Sequence, residues 1–132
     1  MGVSSDGCLY FGFPVGEDEE PPEWLADVED HDFELFLIDK AGMTYENTPY
    51  EERNKIIKSC PADLQRYRSW EYPMYILAVR GCEYSVRRGY FEEITPEMLK
   101  VDQSKIDAFK EWCEQNNIEY KEPKWLLCSM YG

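Results

Sequence analysis

Ten carboxylates and no lysine or arginine lie between residues 16 and 34, in the stretch GEDEEPPEWLADVEDHDFE. Residues 1–39 contain twelve acidic and no basic residues, whereas residues 40–132 contain fifteen acidic and fourteen basic residues. Almost all of the net charge of −13 therefore belongs to the front of the chain, which includes residues 16–39, here called the acidic limb. Three interpretations are open for this limb: a solvated surface, a site for a positively charged partner, and a carboxylate metal site.

The spacing of the acids suits a positively charged partner. If residues 23–40 form a helix, acids recur every three or four residues along one face, about 4.5–6 Å apart along the axis. One strand of duplex DNA carries a charge about every 3.4 Å, so these acids and their neighbours could imitate a phosphate backbone. We predict that the limb binds a basic surface, with an apolar anchor beside the acids. The predicted partner-binding residues are Glu17, Asp18, Glu19, Glu20, Glu23, Trp24, Asp27, Asp30 and Glu34.

Catalytic and metal-binding chemistry have few residues available in this sequence. His31, the single histidine, lies between two aspartates and could act as a general base oriented by a carboxylate. In a helix, however, His31 would fall on the apolar stripe, where a structural role is the usual one. One histidine excludes multi-histidine metal centres, and no EF-hand, GxSxG, HExxH or P-loop pattern is present. We therefore predict a non-enzymatic protein without a metal or cofactor.

The cysteines predict reduced thiols. Their number is odd, their spacing is wide, and no CxxC pair occurs, so neither a disulfide framework nor a structural zinc site is indicated. Most free cysteines are buried and behave as small hydrophobic residues. Together with the absence of a secretory signal pattern and of a long apolar segment, this predicts a cytoplasmic protein that does not bind membranes.

A second group of residues offers an alternative function. Arginines and aromatic residues alternate between residues 66 and 90, and such a mixture can hold a phosphate and stack a base. This predicts an alternative site for a nucleotide or signalling molecule, formed by Arg80, Tyr84, Arg87, Arg88 and Tyr90. Pairing with the protein's own acids, which is the ordinary outcome for such arginines, and a protein interface also remain open. The nearly neutral body argues against direct nucleic-acid binding, which needs excess positive charge.

Local patterns predict the elements that must position these residues. Strands are expected at residues 8–15, 72–80 and 124–131, and an extended segment at 85–94. Residues 16–22 read as an acidic loop, and residues 23–40 as one helix or as a short helix followed by a strand at 33–38. A second helix is expected to begin at Thr48 as N-cap and to stop at Pro61. Residues 64–70 fit a strand or a helix, and a third helix should begin at Asp102 or Ser104 and end near Gln115.

These elements predict one α+β domain over residues 1–132. Its sheet should have four or five mostly antiparallel strands, packed with about three helices. The apolar residues on both faces of the strand at 72–80 place that strand centrally in the sheet. Gly81 is expected to end it.

Two segments carry a resemblance to a protein group. The stretch YPMYILAVRG…RRGYFEEI, residues 72–94, and the closing PKWLLCSMYG resemble small acidic proteins of tailed bacteriophages, mostly of unassigned function. The resemblance implies a bacterial host cytoplasm and a protein that binds a host factor, with inhibitors of defence nucleases as one recurring case. It implies no site residues. We therefore predict a host-interaction protein whose acidic limb binds a basic surface of a nucleic-acid-handling or defence complex.

Overall fold

Four β-strands and three α-helices form the part of the chain that the computed structural model describes, residues 5–17, 20–69 and 73–131. The strands are β1 (Ser5–Val15), β2 (Ala62–Arg68), β3 (Pro73–Val86) and β4 (Lys124–Tyr131). The helices are α1 (Phe33–Lys40), α2 (Tyr50–Ser59) and α3 (Gln103–Gln115), and 3₁₀ turns occur at Glu23–Leu25, Glu29–His31 and Pro96–Leu99. One mixed sheet with three helices confirms the predicted α+β single domain.

The sheet has the order β1-β3-β2-β4 and curls until its last strand meets its first. Strand β3 pairs antiparallel with β1 and β2, and β1 also pairs antiparallel with β4. Strands β2 and β4 touch through a single parallel bridge between Arg68 and Met130. Pro14 is tolerated in β1 because the pairing with β4 ends at Gly12, so that Pro14 has a strand neighbour on one side only.

Strand β3 is buried on both faces, as its sequence predicted. Successive side chains of a strand point to opposite faces, so alternate residues of β3 enter different clusters. Leu77 and Val79 join the larger core cluster, to which α1 contributes Phe36 and α3 contributes Phe109. Ile76 and Ala78 join a smaller cluster on the other face, where β1, β2 and β4 supply the remaining side chains. These smaller-cluster residues are Cys8, Tyr10, Ile76 and Ala78, with Tyr67, Leu126, Cys128 and Met130 packed against them.

Residues 23–40 do not form one helix, so that prediction was wrong, as was the alternative of a strand at 33–38. The chain makes two 3₁₀ turns and then enters α1 at Phe33. Asp30 and His31 have φ values of 55° and 50°, a left-handed conformation that an α-helix cannot contain. Asp32 then caps α1 by accepting hydrogen bonds from the amides of Glu34 and Leu35 at 2.8 and 3.4 Å.

Two further predictions about element boundaries need correction. Gly81 does not end β3, because its φ of +83° lets the strand bend through an irregular register and continue to Val86. Thr48 does not cap α2, because its buried hydroxyl donates to the Thr44 carbonyl at 2.6 Å and Pro49 is the N-cap. The segment predicted as extended at 85–94 is a strand only as far as Val86.

The remaining predicted elements are present. The strands at 8–15, 72–80 and 124–131 correspond to β1, β3 and β4, and the open choice at 64–70 resolves as strand β2. Helix α3 begins after Asp102 and ends at Gln115, with Asn117 at a φ of 56° just beyond it. Trp70 and Tyr72, which were part of these predictions, lie outside the described residues.

Close contact between β1 and β3 predicts that Gly12→Ala destabilises the fold. A Cβ at residue 12 would collide with the Leu77 carbonyl oxygen and lie 2.7 Å from the Cα of Ala78. Since both obstacles are backbone atoms, the strands would have to separate, and we expect a loss of about 3 kcal/mol in urea unfolding. Gly7→Ala in the same strand is the control, because its new Cβ would meet only the Val86 Cγ1 at 3.2 Å. An equal loss in both variants would contradict this explanation.

Candidate functional site

The limb carboxylates face solvent. Glu17, Glu20, Glu23, Asp27, Asp30 and Glu34, all predicted to bind a partner, are exposed, whereas Asp18 and Glu19 lie outside the described residues. Within residues 5–17, 20–69 and 73–131, the ion pairs found join Arg80 to Asp63 and Lys100 to Glu97. Neither pair includes a limb carboxylate. The described part of the limb is therefore an outward-facing anionic surface, although it is not the single helical row that its spacing predicted.

Trp24 has a different position from the acids around it. Its ring centroid lies 5.1 Å from that of Phe36 and 6.0 Å from that of Phe33, at tilted and edge-to-face angles. Such aromatic contacts hold the first 3₁₀ turn against α1. Trp24 is half-buried and packs against the larger core cluster, so its first role is to attach the limb to the domain.

A turn at residues 29–32 carries limb acids that share a groove with residues of β2. Glu29–His31 form one 3₁₀ turn, closed by hydrogen bonds from the His31 amide to Val28 and from the Asp32 amide to Glu29. Because Asp30 and His31 are left-handed, their carbonyl groups point away from any helical partner. Those carbonyls must find donors elsewhere.

Arg66 of β2 supplies the donors. Its Nη2 donates to the carbonyl oxygens of Asp30 and His31, both at 3.0 Å. Its guanidinium also lies 5.6 Å from the ring centroid of Tyr75. Hydrogen bonds from a charged donor are about twice as strong as neutral ones, so this contact fixes the turn against the sheet. Neither hydrogen bond ends on a carboxylate.

A groove of about 590 Å³ opens between this turn and β2. Four carboxylates line it, three from the limb and one from β2: Asp30, Asp32, Glu34 and Asp63. Among the described residues that line it, the cationic side chain is that of Arg66, and His31, Gln65 and Tyr10 add further polar atoms. The groove therefore combines an excess of negative charge with a concave shape, which suits a ligand that carries positive charge.

Asp63 lines the groove and also pairs with Arg80 of β3. Its carboxylate lies 3.5 Å from the Arg80 guanidinium and accepts a hydrogen bond from Gln65 Nε2 at 2.8 Å. Burial raises the pKa of Asp63 above its ordinary value, and the charge of Arg80 only partly opposes this. Sequence reasoning missed this residue, since a single aspartate in a strand gives no local signal of a groove.

His31 lies in the groove, where the sequence did not place it. The predicted apolar helical stripe does not exist, because the chain is left-handed at His31 itself. Catalysis through this histidine would need a nucleophile or a substrate beside it, and no cysteine is among the described residues that line the groove. Among the described residues, no group of three or more His, Cys, Asp and Glu side chains is arranged to hold a metal ion.

The alternative ligand site is divided by the structure. Arg80 donates to the carbonyls of Cys60 and Ala62 at 2.8 and 3.1 Å, and the Tyr84 hydroxyl donates to Met98 at 2.7 Å. Both side chains therefore hold the fold together. The other three predicted residues, Arg87, Arg88 and Tyr90, lie together on an exposed loop after β3. The Arg87 guanidinium is 5.9 Å from the ring centroid of Tyr90.

No family model, curated protein or solved structure matches this chain. The resemblance of residues 72–94 and 123–132 to small acidic phage proteins therefore stays a prediction. In the part of the chain that the structure describes, no helix is both long and apolar enough to cross a membrane. Function has to be inferred from the groove and the acids around it.

Replacement of Arg66 tests whether it holds the groove's outer wall. Arg66→Met keeps the aliphatic stem but removes both hydrogen bonds to the turn, and we expect a loss of about 1–3 kcal/mol in unfolding free energy. Amide hydrogen exchange should accelerate in residues 29–34 more than in α3. Arg87→Met, on the exposed loop, is the control and should change stability by less than about 0.5 kcal/mol. Unchanged exchange in residues 29–34 would show that Arg66 is not the clamp.

Proposed function

We propose that this protein is a non-enzymatic binding protein that attaches to a basic surface of a host protein, and that the groove receives Lys or Arg side chains of that partner. The observation that carries the proposal is the convergence of four carboxylates on one concave site. The other described limb acids are also exposed and add to the negative surface. Solubility alone would be served by scattered charges and would not need a shaped site.

The hydrogen bonds of Arg66, which lines the groove, support this proposal. Arg66 donates to backbone carbonyls, so the carboxylates of Asp30, Asp32 and Glu34 keep oxygens to offer to a partner. An incoming guanidinium can form two parallel hydrogen bonds with one carboxylate, which adds geometric specificity to charge attraction. Association should be fast at low salt and should slow as salt screens the attraction over about 8 Å at physiological ionic strength.

The resemblance to small phage proteins supports a host nucleic-acid-handling or defence complex as the partner. Proteins of that class expose basic surfaces that bind phosphate backbones. The chain would occupy such a surface with clustered carboxylates around a groove, in place of the evenly spaced helical row that the sequence suggested. Direct binding to nucleic acid is not expected, because the same acids repel phosphates.

Neutralising the groove acids tests the site. The triple variant Asp30→Asn, Asp32→Asn, Glu34→Gln keeps side-chain shape, and asparagine can still cap α1 and adopt a left-handed conformation. Binding of a labelled nona-arginine peptide, followed by fluorescence anisotropy at low salt, should weaken by about 10-fold or more, roughly 1.4 kcal/mol or more. The slope of log Kd against log salt concentration should also become shallower.

A matched triple variant separates the groove from net charge. Glu114→Gln, Glu119→Gln and Glu122→Gln remove the same charge from exposed positions in and after α3. This control should weaken peptide binding by less than about 3-fold. If both triples weaken binding equally, the groove is not the site. If the wild-type protein and the groove variant retain the same proteins from a bacterial lysate, and duplex DNA fails to release them, the proposed class of partner is wrong.

A second candidate function is binding of a nucleotide or signalling molecule, and one observation favours it. Tyr90 is 75% exposed, and Arg87 and Arg88 lie beside it on the same loop. An exposed ring can stack on a base while the guanidinium groups contact a phosphate. A thermal-shift screen against nucleotides tests this function. Stabilisation that is lost in both Arg87→Ala and Arg88→Ala would favour it over the groove.

A further inference from the structure

Cys8 and Cys128 are direct partners in the sheet. They occupy opposed positions in the antiparallel pairing of β1 and β4. Both side chains belong to the smaller core cluster, so they point to the same face. Opposed residues of antiparallel strands have Cα atoms about 4.5 or 5.5 Å apart, according to which of the two pair types they form. Both values fall within the range of about 4.4–6.8 Å that a disulfide spans.

The surroundings of the two thiols differ in a way that gives each a separate role. Cys8 is buried, with 6% of its surface exposed, whereas Cys128 is half-buried and can be reached from solvent. Burial and the neighbouring Cys8 raise the pKa of Cys128 to about 11. Cys128 is therefore almost entirely a thiol at neutral pH, and it is the thiol that an external reagent meets first.

We propose that Cys8 and Cys128 form an intrachain disulfide when the protein meets a small-molecule disulfide of the glutathione type. The Cys128 thiolate attacks one sulfur of the reagent, forms a mixed disulfide and expels the first small thiol. The Cys8 thiolate then attacks Cys128 Sγ and expels the second small thiol. Two protein thiols are oxidised, one small disulfide is reduced to two thiols, and the two protein protons end on those leaving thiols.

The other cysteines lack this arrangement. Cys60, Cys82 and Cys113 belong to the larger core cluster beneath the helices and are all buried. Cys60 is near enough to raise the pKa of Cys113, which burial has already raised, but Cys113 is fully buried in α3. A reagent cannot reach that pair without opening the core. Cys8 and Cys128, in contrast, lie opposite each other in the sheet, and Cys128 is accessible to solvent.

The bond would join the first strand to the last. It would enclose nearly the whole chain in one covalent loop, and long loops restrict the unfolded state most strongly. Met130, two residues beyond Cys128, forms the bridge to Arg68 that closes the sheet. The disulfide would therefore fix β4 to β1 two residues from that bridge. This inference does not depend on the proposed function.

Treatment of the full-length protein with oxidised glutathione tests the proposal. Peptide mapping by mass spectrometry without reduction should show the Cys8 peptide joined to the Cys128 peptide, with the loss of two hydrogen atoms in mass. The Tm should rise by about 5–15 °C and return to its initial value after reduction. The reaction should accelerate by about tenfold per pH unit between neutral pH and about pH 10, as more Cys128 becomes thiolate.

Three variants distinguish the steps. Cys8→Ser should stop at the mixed disulfide and keep one glutathione on Cys128, while Cys128→Ser should show neither adduct nor cross-link. Cys82→Ser is the matched control and should cross-link as the wild-type protein does. A persistent glutathione adduct in the wild-type protein, a bond between Cys60 and Cys113, or no reaction at high pH would each overturn the proposal.

Discussion

Burial of β3 on both faces is the constraint from which the rest of the structure follows. The strand carries apolar residues at successive positions from Tyr75 to Val79, so each face needs its own cover. The helices cover one face. Since the described chain has only four strands, the sheet covers the other face by curling, which brings β4 beside β1 and as far as β2. The thiol pair lies on the β1–β4 ladder of this sheet.

The same core shapes the acidic limb. Leu25 and Phe33 both enter the larger cluster, but they are eight residues apart with exposed acids between them. Residues eight apart would share one face of a straight helix, so the burial of these two residues does not by itself require a bend. The chain bends at Asp30 and His31, where left-handed conformations cost about 1–2 kcal/mol each for residues other than glycine. The hydrogen bonds from Arg66 to their carbonyls offset this cost and place the acids around a groove.

Sequence patterns predicted those elements whose structure depends mainly on residues nearby in the sequence. The period-two pattern of β1 and the polar ends of α3 depend on neighbours in sequence, and both elements were predicted from them. The central position of β3 followed from its composition. The left-handed turn at Asp30 could not be predicted, because its carbonyl donor comes from Arg66, far away in sequence. Gly81 was misread for a similar reason, since only the pairing with β1 distinguishes a bend within a strand from its end.

The candidate site, too, depends on residues that are distant in the sequence. The concentration of acids is visible in the sequence, but the groove exists only because β2 lies opposite the turn and adds Asp63. Like charges that line one concave surface repel each other, and more strongly where groove walls exclude solvent. Arg66 does not relieve this repulsion by ion pairing, because both of its hydrogen bonds to the turn end on backbone oxygens.

A cation that enters from a partner would relieve that repulsion and would have no internal ion pair with Arg66 to displace. Its binding to the folded state should therefore also stabilise the fold, since a ligand that binds only the native protein shifts the unfolding equilibrium. No such pair exists with Asp30 because the Arg66 hydrogen bonds to the turn end on backbone carbonyls and not on carboxylates. Had the same guanidinium paired with Asp30 or Asp32, a partner's arginine would have to compete for that carboxylate. In the proposed function, the placement of one donor on two carbonyls leaves these carboxylates to a positive partner.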